Sequence, residues 1–368
     1  MKGIFDRRAI PAEASETRWV APDGELIRRI DWPGVPARAA SAMASLGADD
    51  APVSGGTRGS LLFVPGRGDF YEKYLETLDH WHRAGWRVTA LDWRGQAGSG
   101  RFIDDPLTGH VPDFSVWIAD LAAFWAEWSA TAPGPQVIVG HSMGGHLVLR
   151  ALAEKRIDPM VAVLVAPMLG FLTPGPAALL HGVARMMARL GNPERVAWKS
   201  SEKPGADPSR RHALLTHDAD RYADEIAWRA ARPELAMGPG SWRWVERAYA
   251  SMRGLDAPGV LEAVETPVLM LATRNDGLVG FSAIKRAARR LPRAQLVIWG
   301  KEARHELLRE VDEVRDRVLH TIDDFFDRLA SAPDSGSTAA AVTSGALAQT
   351  SGRKKPARKR AAQPATPR

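Results

Sequence analysis

Residues 137–149 read V-I-V-G-H-S-M-G-G-H-L-V-L, a stretch that must run as a strand and turn at once into a helix. Val137, Ile138 and Val139 form the short β-branched run of a fully buried parallel strand. Leu147, Val148, Ala151 and Leu152 follow at helical spacing. Between the two, Gly140 and Gly144 bracket Ser142 as G-x-S-x-G. In a strand-to-helix turn this sharp, the central serine takes a strained backbone conformation, and the flanking positions are glycine because a side chain there would collide with neighbouring strands. The serine Oγ is thereby pushed into the open. A turn that is merely glycine-rich would show the same five residues, but it would not need a buried strand before it and an apolar helix after it. Ser142 is therefore the candidate nucleophile.

A serine hydroxyl is a weak nucleophile at neutral pH, so a base must lie within hydrogen-bond reach and a third group must orient that base. In sites built on such a turn, the acid and then the histidine follow the serine in the chain, each on a loop behind a core strand. Residues 267–272 (P-V-L-M-L-A) form such a strand, and the loop T-R-N-D-G-L-V behind it offers Asp276. Residues 295–299 (Q-L-V-I-W) form the next, with His305 in the G-K-E-A-R-H-E-L that follows. The strand directly after the serine, residues 161–165, ends in Ala166, Pro167 and Met168 and supplies no carboxylate. The blander readings are an ordinary turn for Asp276, which precedes a glycine, and a surface histidine at a helix start for His305. His141 and His146 flank the serine where the backbone would not let them serve as its base, and both read as structural.

The rest of the body alternates in the same way. Residues 19–32, with Pro-Asp-Gly between two extended runs, predict an N-terminal hairpin, and residues 36–58 a loop with one short helical piece. Residues 61–64 form a buried strand that ends in P-G-R-G-D-F. That loop can aim a main-chain N–H into a cavity, so the N–H groups of Arg67 and Met143 are the candidate oxyanion donors. Helical spacing over 71–84, a strand over 87–91 and an amphipathic helix over 113–130 with a Trp117, Phe124, Trp125, Trp128 face complete a parallel sheet wrapped on both sides. In D-W-R-G-Q-A-G-S-G-R, residues 92–101, Asp92 and Arg94 read as braces of a loop. From 167 to 264 the alternation stops, and helix-like segments over 177–190, 219–231 and 242–252 are rich in Trp and Met. An insertion there reads as a helical cap suited to an apolar acyl chain, or else as a plain packing unit. The sequence thus divides into a first core part (1–166), a cap insertion (167–265), a second core part (266–330) that closes with a long helix over 311–329, and a tail (331–368).

Charge belongs to that tail. The chain carries 49 Lys or Arg and 43 Asp or Glu. Seven of the bases and one acid fall beyond residue 330, so the body is neutral. The tail, ending in R-K-K-P-A-R-K-R and a few small residues, predicts a disordered end. A merely solvated end is the bland reading; the candidate partner, if the tail has one, is an anionic membrane surface, and a nucleic acid is not expected. Absence of cysteine excludes disulfides, thiolate metal sites and cysteine catalysis. The N-terminus lacks the apolar run of a signal peptide and no stretch reaches the length of a membrane span, so the chain reads as cytoplasmic, with peripheral contact at the inner face of a membrane as the further option. No metal or organic cofactor is called for.

Several motifs together resemble a known family: P-G-R-G-D-F-Y-E-K-Y from 65, D-W-R-G-Q-A-G-S-G-R from 92, G-H-V-P-D-F from 109, G-H-S-M-G-G-H from 140, G-P-G-S-W-R-W-V from 238, N-D-G-L-V from 275 and R-H-E-L from 304. In this order they look like the lysophospholipase L2 and monoacylglycerol lipase branch (serine aminopeptidase S33-like) of the α/β-hydrolases, over roughly residues 19–329. The resemblance implies the same trio, Ser142, Asp276 and His305, in an α/β-hydrolase fold with an inserted cap. It also implies a small lipid ester as substrate. Monoacylglycerol lipases usually carry His-Gly where Pro65-Gly66 stands here, which resembles the lysophospholipase side, and the tail has no counterpart in the family pattern. The expected activity is hydrolysis of the acyl ester of a single-chain lipid, lysophospholipid first and monoacylglycerol second. A general carboxylesterase for short soluble esters and a non-catalytic interaction protein on a hydrolase scaffold are the competing readings.

Overall fold

A computed structural model describes residues 5–34, 57–173, 175–198 and 208–330. The expectation for residues 36–58 falls, but for its last two residues, outside the described ones, and so does that for the tail.

Eight strands form one sheet: β1 (Ser15–Val20), β2 (Leu26–Trp32), β3 (Gly59–Val64), β4 (Trp86–Leu91), β5 (Gln136–His141), β6 (Val161–Val165), β7 (Val268–Thr273) and β8 (Ala294–Trp299). Their order across the sheet is β1-β2-β4-β3-β5-β6-β7-β8. The β1–β2 hairpin joins β4 antiparallel, and every later pair is parallel. The strand with the serine lies inside the sheet, with Val64 of β3 opposite Gly140 on one side and Leu164 of β6 opposite it on the other.

Alternate side chains along a strand point to opposite faces, and the core divides accordingly. Leu62, Val64, Ile138 and Leu164 belong to one buried cluster, which includes Trp117, Phe124 and Trp125 of α2 (Ser115–Thr131) and Leu147 and Val148 of α3 (Met143–Ala153). Leu61, Phe63, Val137, Val139 and Val163 belong to the other, with Leu78 and Trp81 of α1 (Leu75–Arg83) and Phe326 of the C-terminal helix. Helical spacing over 71–84 resolves into a 3₁₀ turn, Tyr71–Tyr74, leading into α1. Between β6 and β7 the chain forms α4 (Ala177–Leu190), α5 (Pro208–Leu215), α6 (Ala219–Ala231) and α7 (Trp242–Leu255). Of these, α5 was not foreseen: its sequence, P-S-R-R-H-A-L-L, is too short and too basic to display a clear apolar stripe. The body closes with α8 (Phe281–Arg290) and α9 (Asp312–Ala330).

Two motifs far apart in sequence pair with each other. Gly238 donates to the Leu107 carbonyl at 2.7 Å, Gly109 to Pro239 at 2.9 Å and Ser241 to Gly109 at 2.9 Å. His110 Nδ1 lies 2.9 Å from Ser241 Oγ. This seam attaches the start of α7 to the loop before α2.

Candidate active site

Ser142 stands where β5 ends and α3 begins, with φ 52° and ψ −114°. A non-glycine residue with positive φ is strained and needs its surroundings to hold it. The main chain supplies them, as Ser142 N–H donates to the Val165 carbonyl at 2.9 Å, while its own carbonyl accepts from Met168 at 2.9 Å and His146 at 3.1 Å. The flanking glycines are required by space. A Cβ on Gly144 would come 2.4 Å from the carbonyl oxygens of both Val64 and Pro65, at the end of β3. One on Gly140 would meet the backbone of Gly144 and Gly145 at 2.8–2.9 Å, so there the obstacle is the first turn of α3 and not a neighbouring strand. Among its buried neighbours His141 and Met143, Ser142 alone remains partly exposed.

The acid and the histidine follow β7 and β8. Asp276 is buried, and its Oδ1 accepts from the N–H groups of Leu278 and Val279 at 2.8 and 2.9 Å. Its Oδ2 is 2.7 Å from His305 Nδ1. An ionised carboxylate only accepts, so the hydrogen sits on Nδ1 and the lone pair of Nε2 faces Ser142 Oγ, 3.0 Å away. Burial alone would raise the Asp276 pKa, but the imidazole and the two N–H groups outweigh it and hold the carboxyl below its ordinary value. For His305 burial acts downward, and Asp276, with lesser help from Glu306 and Asp69, reverses it and raises the imidazole above its ordinary value. The geometry permits proton transfer from Ser142 to His305, with the imidazolium held by Asp276.

The loop behind β3 lies against the serine: a Cβ on Gly66 would sit 3.1 Å from Ser142 Cβ. Met143 is the first residue of α3, where a backbone N–H has no intrahelical acceptor. Gly66 N–H, by contrast, donates to Asp69 Oδ2 within its own loop at 3.1 Å. The Arg67 side chain is firmly engaged. Its guanidinium donates to the Gly238 carbonyl at 2.6 Å and lies 5.0 and 4.9 Å from the ring centres of Trp198 and Trp244. The loop beside the serine is thereby attached to residues of the segment between β6 and β7, a contact with no local signal in the sequence.

His141 and His146 are both buried and neutral. Burial, then the neighbouring His305, pushes His141 down to about 4. Burial, then Arg150, pushes His146 down to about 3. His146 Nε2 pairs with Ser251 Oγ at 2.7 Å, whereas the His141 ring packs 5.0 Å from that of His305. In the 92–101 stretch, Asp92 binds Arg28 at 2.8 Å and the Tyr71 N–H at 3.0 Å, and Arg94 binds Asp120 and Asp23. Sequence reasoning missed the charged residues packed behind the histidine, Asp69, Lys73, Glu225, Glu306 and Arg309, all buried. Their local signs are the Asp69–Lys73 pair, four residues apart inside an aromatic run, and the Glu306–Arg309 pair, three apart.

A mostly parallel sheet covered on both faces, with a serine on a strand-to-helix turn and a histidine and carboxylate beyond later strands, defines a serine hydrolase of the α/β-hydrolase class. Within that class the chain belongs to the serine aminopeptidase S33 family, whose pattern matches residues 55–312. It is 30% identical over 298 residues to lysophospholipase L2 of Escherichia coli K12, covering 76% of this chain and 83% of that protein. It is 26% identical over 268 residues to the probable lysophospholipase L2 of Haemophilus influenzae, covering 73% and 83%. Among solved structures, a soluble variant of monoglyceride lipase from Saccharomyces cerevisiae, in complex with a substrate analogue, superposes with a TM-score of 0.65 at 17% identity over 88% of this chain and 98% of that one. The monoacylglycerol lipase of Paleococcus ferrophilus does so at 0.59 and 20% identity, over 74% and 96%.

Proposed function

We propose that the protein hydrolyses the acyl ester of a single-chain lipid, a lysophospholipid in preference to a monoacylglycerol, through an acyl-enzyme on Ser142. His305 takes the Ser142 proton as Oγ attacks the ester carbonyl, Asp276 holds the imidazole, and the N–H groups of Met143 and Arg67 receive the oxyanion. The imidazolium then gives its proton to the departing alcohol, and water repeats the sequence on the acyl-enzyme. The observation that carries this reading is the continuous contact from Asp276 through His305 to a strained, partly exposed serine. The lysophospholipase L2 relatives, and Pro65 where monoacylglycerol lipases usually have histidine, favour the phospholipid side.

In this reading residues 167–265 act as a cap between the core parts 1–166 and 266–330. Supporting that role, Trp198 and Trp244 of the insertion reach the loop beside Ser142 through Arg67. The basic segment beyond residue 330 holds the enzyme to an anionic membrane surface, where such substrates reside.

The test is fatty-acid release by the purified protein from lysophosphatidylcholine and monoacylglycerol in parallel, with Ser142→Ala as the blank. Release from the lysophospholipid that vanishes in the blank is expected. Release from monoacylglycerol alone would move the function to the neutral lipid. Undiminished hydrolysis by Ser142→Ala would overturn the mechanism.

A further inference from the structure

Close to His305, through the adjoining Glu306, lies a cluster of buried charge that the reaction as written does not use. Lys73 sits at its centre, its ammonium 2.5 Å from Asp69 Oδ1, 2.7 Å from Glu306 Oε1 and 2.9 Å from Glu225 Oε2. Arg309 is the second cation and pairs with Glu306 and, at 3.3 Å, with Glu225. The side chains of Lys73, Glu225, Glu306 and Arg309 are at most 3% exposed. Removing so many charges from water is costly before any pairing is counted, so stability alone is a poor reason for such a group.

What the carboxylates touch suggests another. The Asp69 carboxylate accepts from Lys73 on one oxygen. On the other it accepts from Tyr74 Oη at 2.8 Å and from the Gly66 N–H at 3.1 Å. Gly66 is the residue of the β3 loop that packs on Ser142, and Arg67 follows it. Glu306 is bonded in sequence to His305. His141, next to Ser142, fills the space between, its ring against that of His305 and its Nε2 3.9 Å from Asp69 Oδ2. The third carboxylate comes from elsewhere: Glu225 lies on α6, in the segment between β6 and β7. Three independent pieces of the site therefore converge on one ammonium group.

We propose that Lys73 is a positioning residue, which holds the loop that receives the oxyanion, through Asp69, in register with the histidine that serves as base, through Glu306, while Glu225 of α6 completes its coordination. The proposal rests on the triad reading of the site. All its members remain ionised at neutral pH. Burial works against each of them, but the opposing charges prevail, raising Lys73 and lowering Asp69, Glu225 and Glu306. A neutral side chain in place of Lys73 leaves Asp69 and Glu306 without a common partner. Gly66 and His305 then drift independently, by fractions of an ångström, relative to Ser142. Misplacement of this size affects the transition state far more than substrate capture.

The experiment compares full-length wild type, Lys73→Met, Lys73→Arg and Asp69→Asn, with circular dichroism and thermal melting as controls of folding. Hydrolysis of a short water-soluble p-nitrophenyl ester gives kcat and KM, and a fluorophosphonate probe gives the labelling rate of Ser142. For folded Lys73→Met, kcat and the labelling rate should fall by on the order of 10- to 100-fold with KM within about threefold, and Lys73→Arg should recover part of the loss. Should Lys73→Met fail to fold, Asp69→Asn carries the same expectation, because it keeps the shape of the carboxylate and removes the charge that Lys73 grips. A folded Lys73→Met or Asp69→Asn with kcat and labelling within about twofold of wild type overturns the proposal. So does a loss confined to KM. Activity that survives Ser142→Ala would instead overturn the triad reading, an outcome these variants cannot imitate.

Discussion

At the scale of single residues, the proposed mechanism depends on one imidazole being neutral when it meets Ser142 and stable when it becomes charged. Asp276 governs both, because its carboxylate fixes the hydrogen on Nδ1 and raises the imidazole pKa against the effect of burial. Neutral imidazole therefore accumulates only above the ordinary histidine range. The acid limb of the kcat/KM profile should sit on the alkaline side of a free histidine's pKa. Asp276→Asn removes the charge, so the limb should move to lower pH while the plateau in kcat falls by about 10⁴-fold. An asparagine variant with an unmoved limb would show that Glu306 and Asp69, the other carboxylates near His305, set its proton affinity instead.

At the scale of the element, the turn from β5 into α3 is held by exclusion of volume, and this too can be measured. Gly144→Ala would place a methyl group 2.4 Å from two carbonyl oxygens of the β3 end, whose strand is paired with β5 and cannot withdraw. Overpacking of this kind costs about 1–3 kcal/mol, and the loop carrying Gly66 and Arg67 must absorb part of the shift. A drop in melting temperature together with loss of fluorophosphonate labelling is expected, and a stable variant that labels normally would remove the steric account of this glycine. The order of elements was legible because each of β3 to β8 carries a short apolar run and each candidate site residue follows one: β6, α4 and α6 keep their expected bounds. What could not be read is what depends on distance through space. Lys73 and Glu306 are 233 positions apart, and each alone looks like an ordinary solvated charge. The pairing of Gly109 with Gly240 was likewise hidden, although both motifs were visible, since glycines carry no side-chain pattern from which a partner can be inferred.

Over the whole molecule, the question is where the positive charge goes. The body holds as many acids as bases, and many of its arginines are already bound: Arg28 to Glu72 and Asp92, Arg94 to Asp23 and Asp120, Arg221 to Glu76, Asp218 and Asp312. Such pairs present little net field to a distant surface. Among the described residues no helix is long and apolar enough to cross a membrane, and the attraction to a bilayer proposed above is one of charge. The seven Lys and Arg beyond residue 330 are the concentrated source of charge, and each is worth about 1 kcal/mol near an anionic surface at moderate salt. Removing residues 331–368 should therefore abolish most binding to phosphatidylglycerol vesicles, and leave kcat and KM for a short soluble ester unchanged because every residue of the proposed triad and of the β3 loop is retained. Binding of the full chain should also fall steeply between low and physiological salt, as the screening length shortens to about 8 Å. If the truncated protein sediments with vesicles as well as the full chain does, and salt has no effect on either, the attraction is apolar and resides in the body. The exposed Leu179, Val183, Met186 and Leu190 of α4, spaced along one face of that helix, would then be the residues to change next.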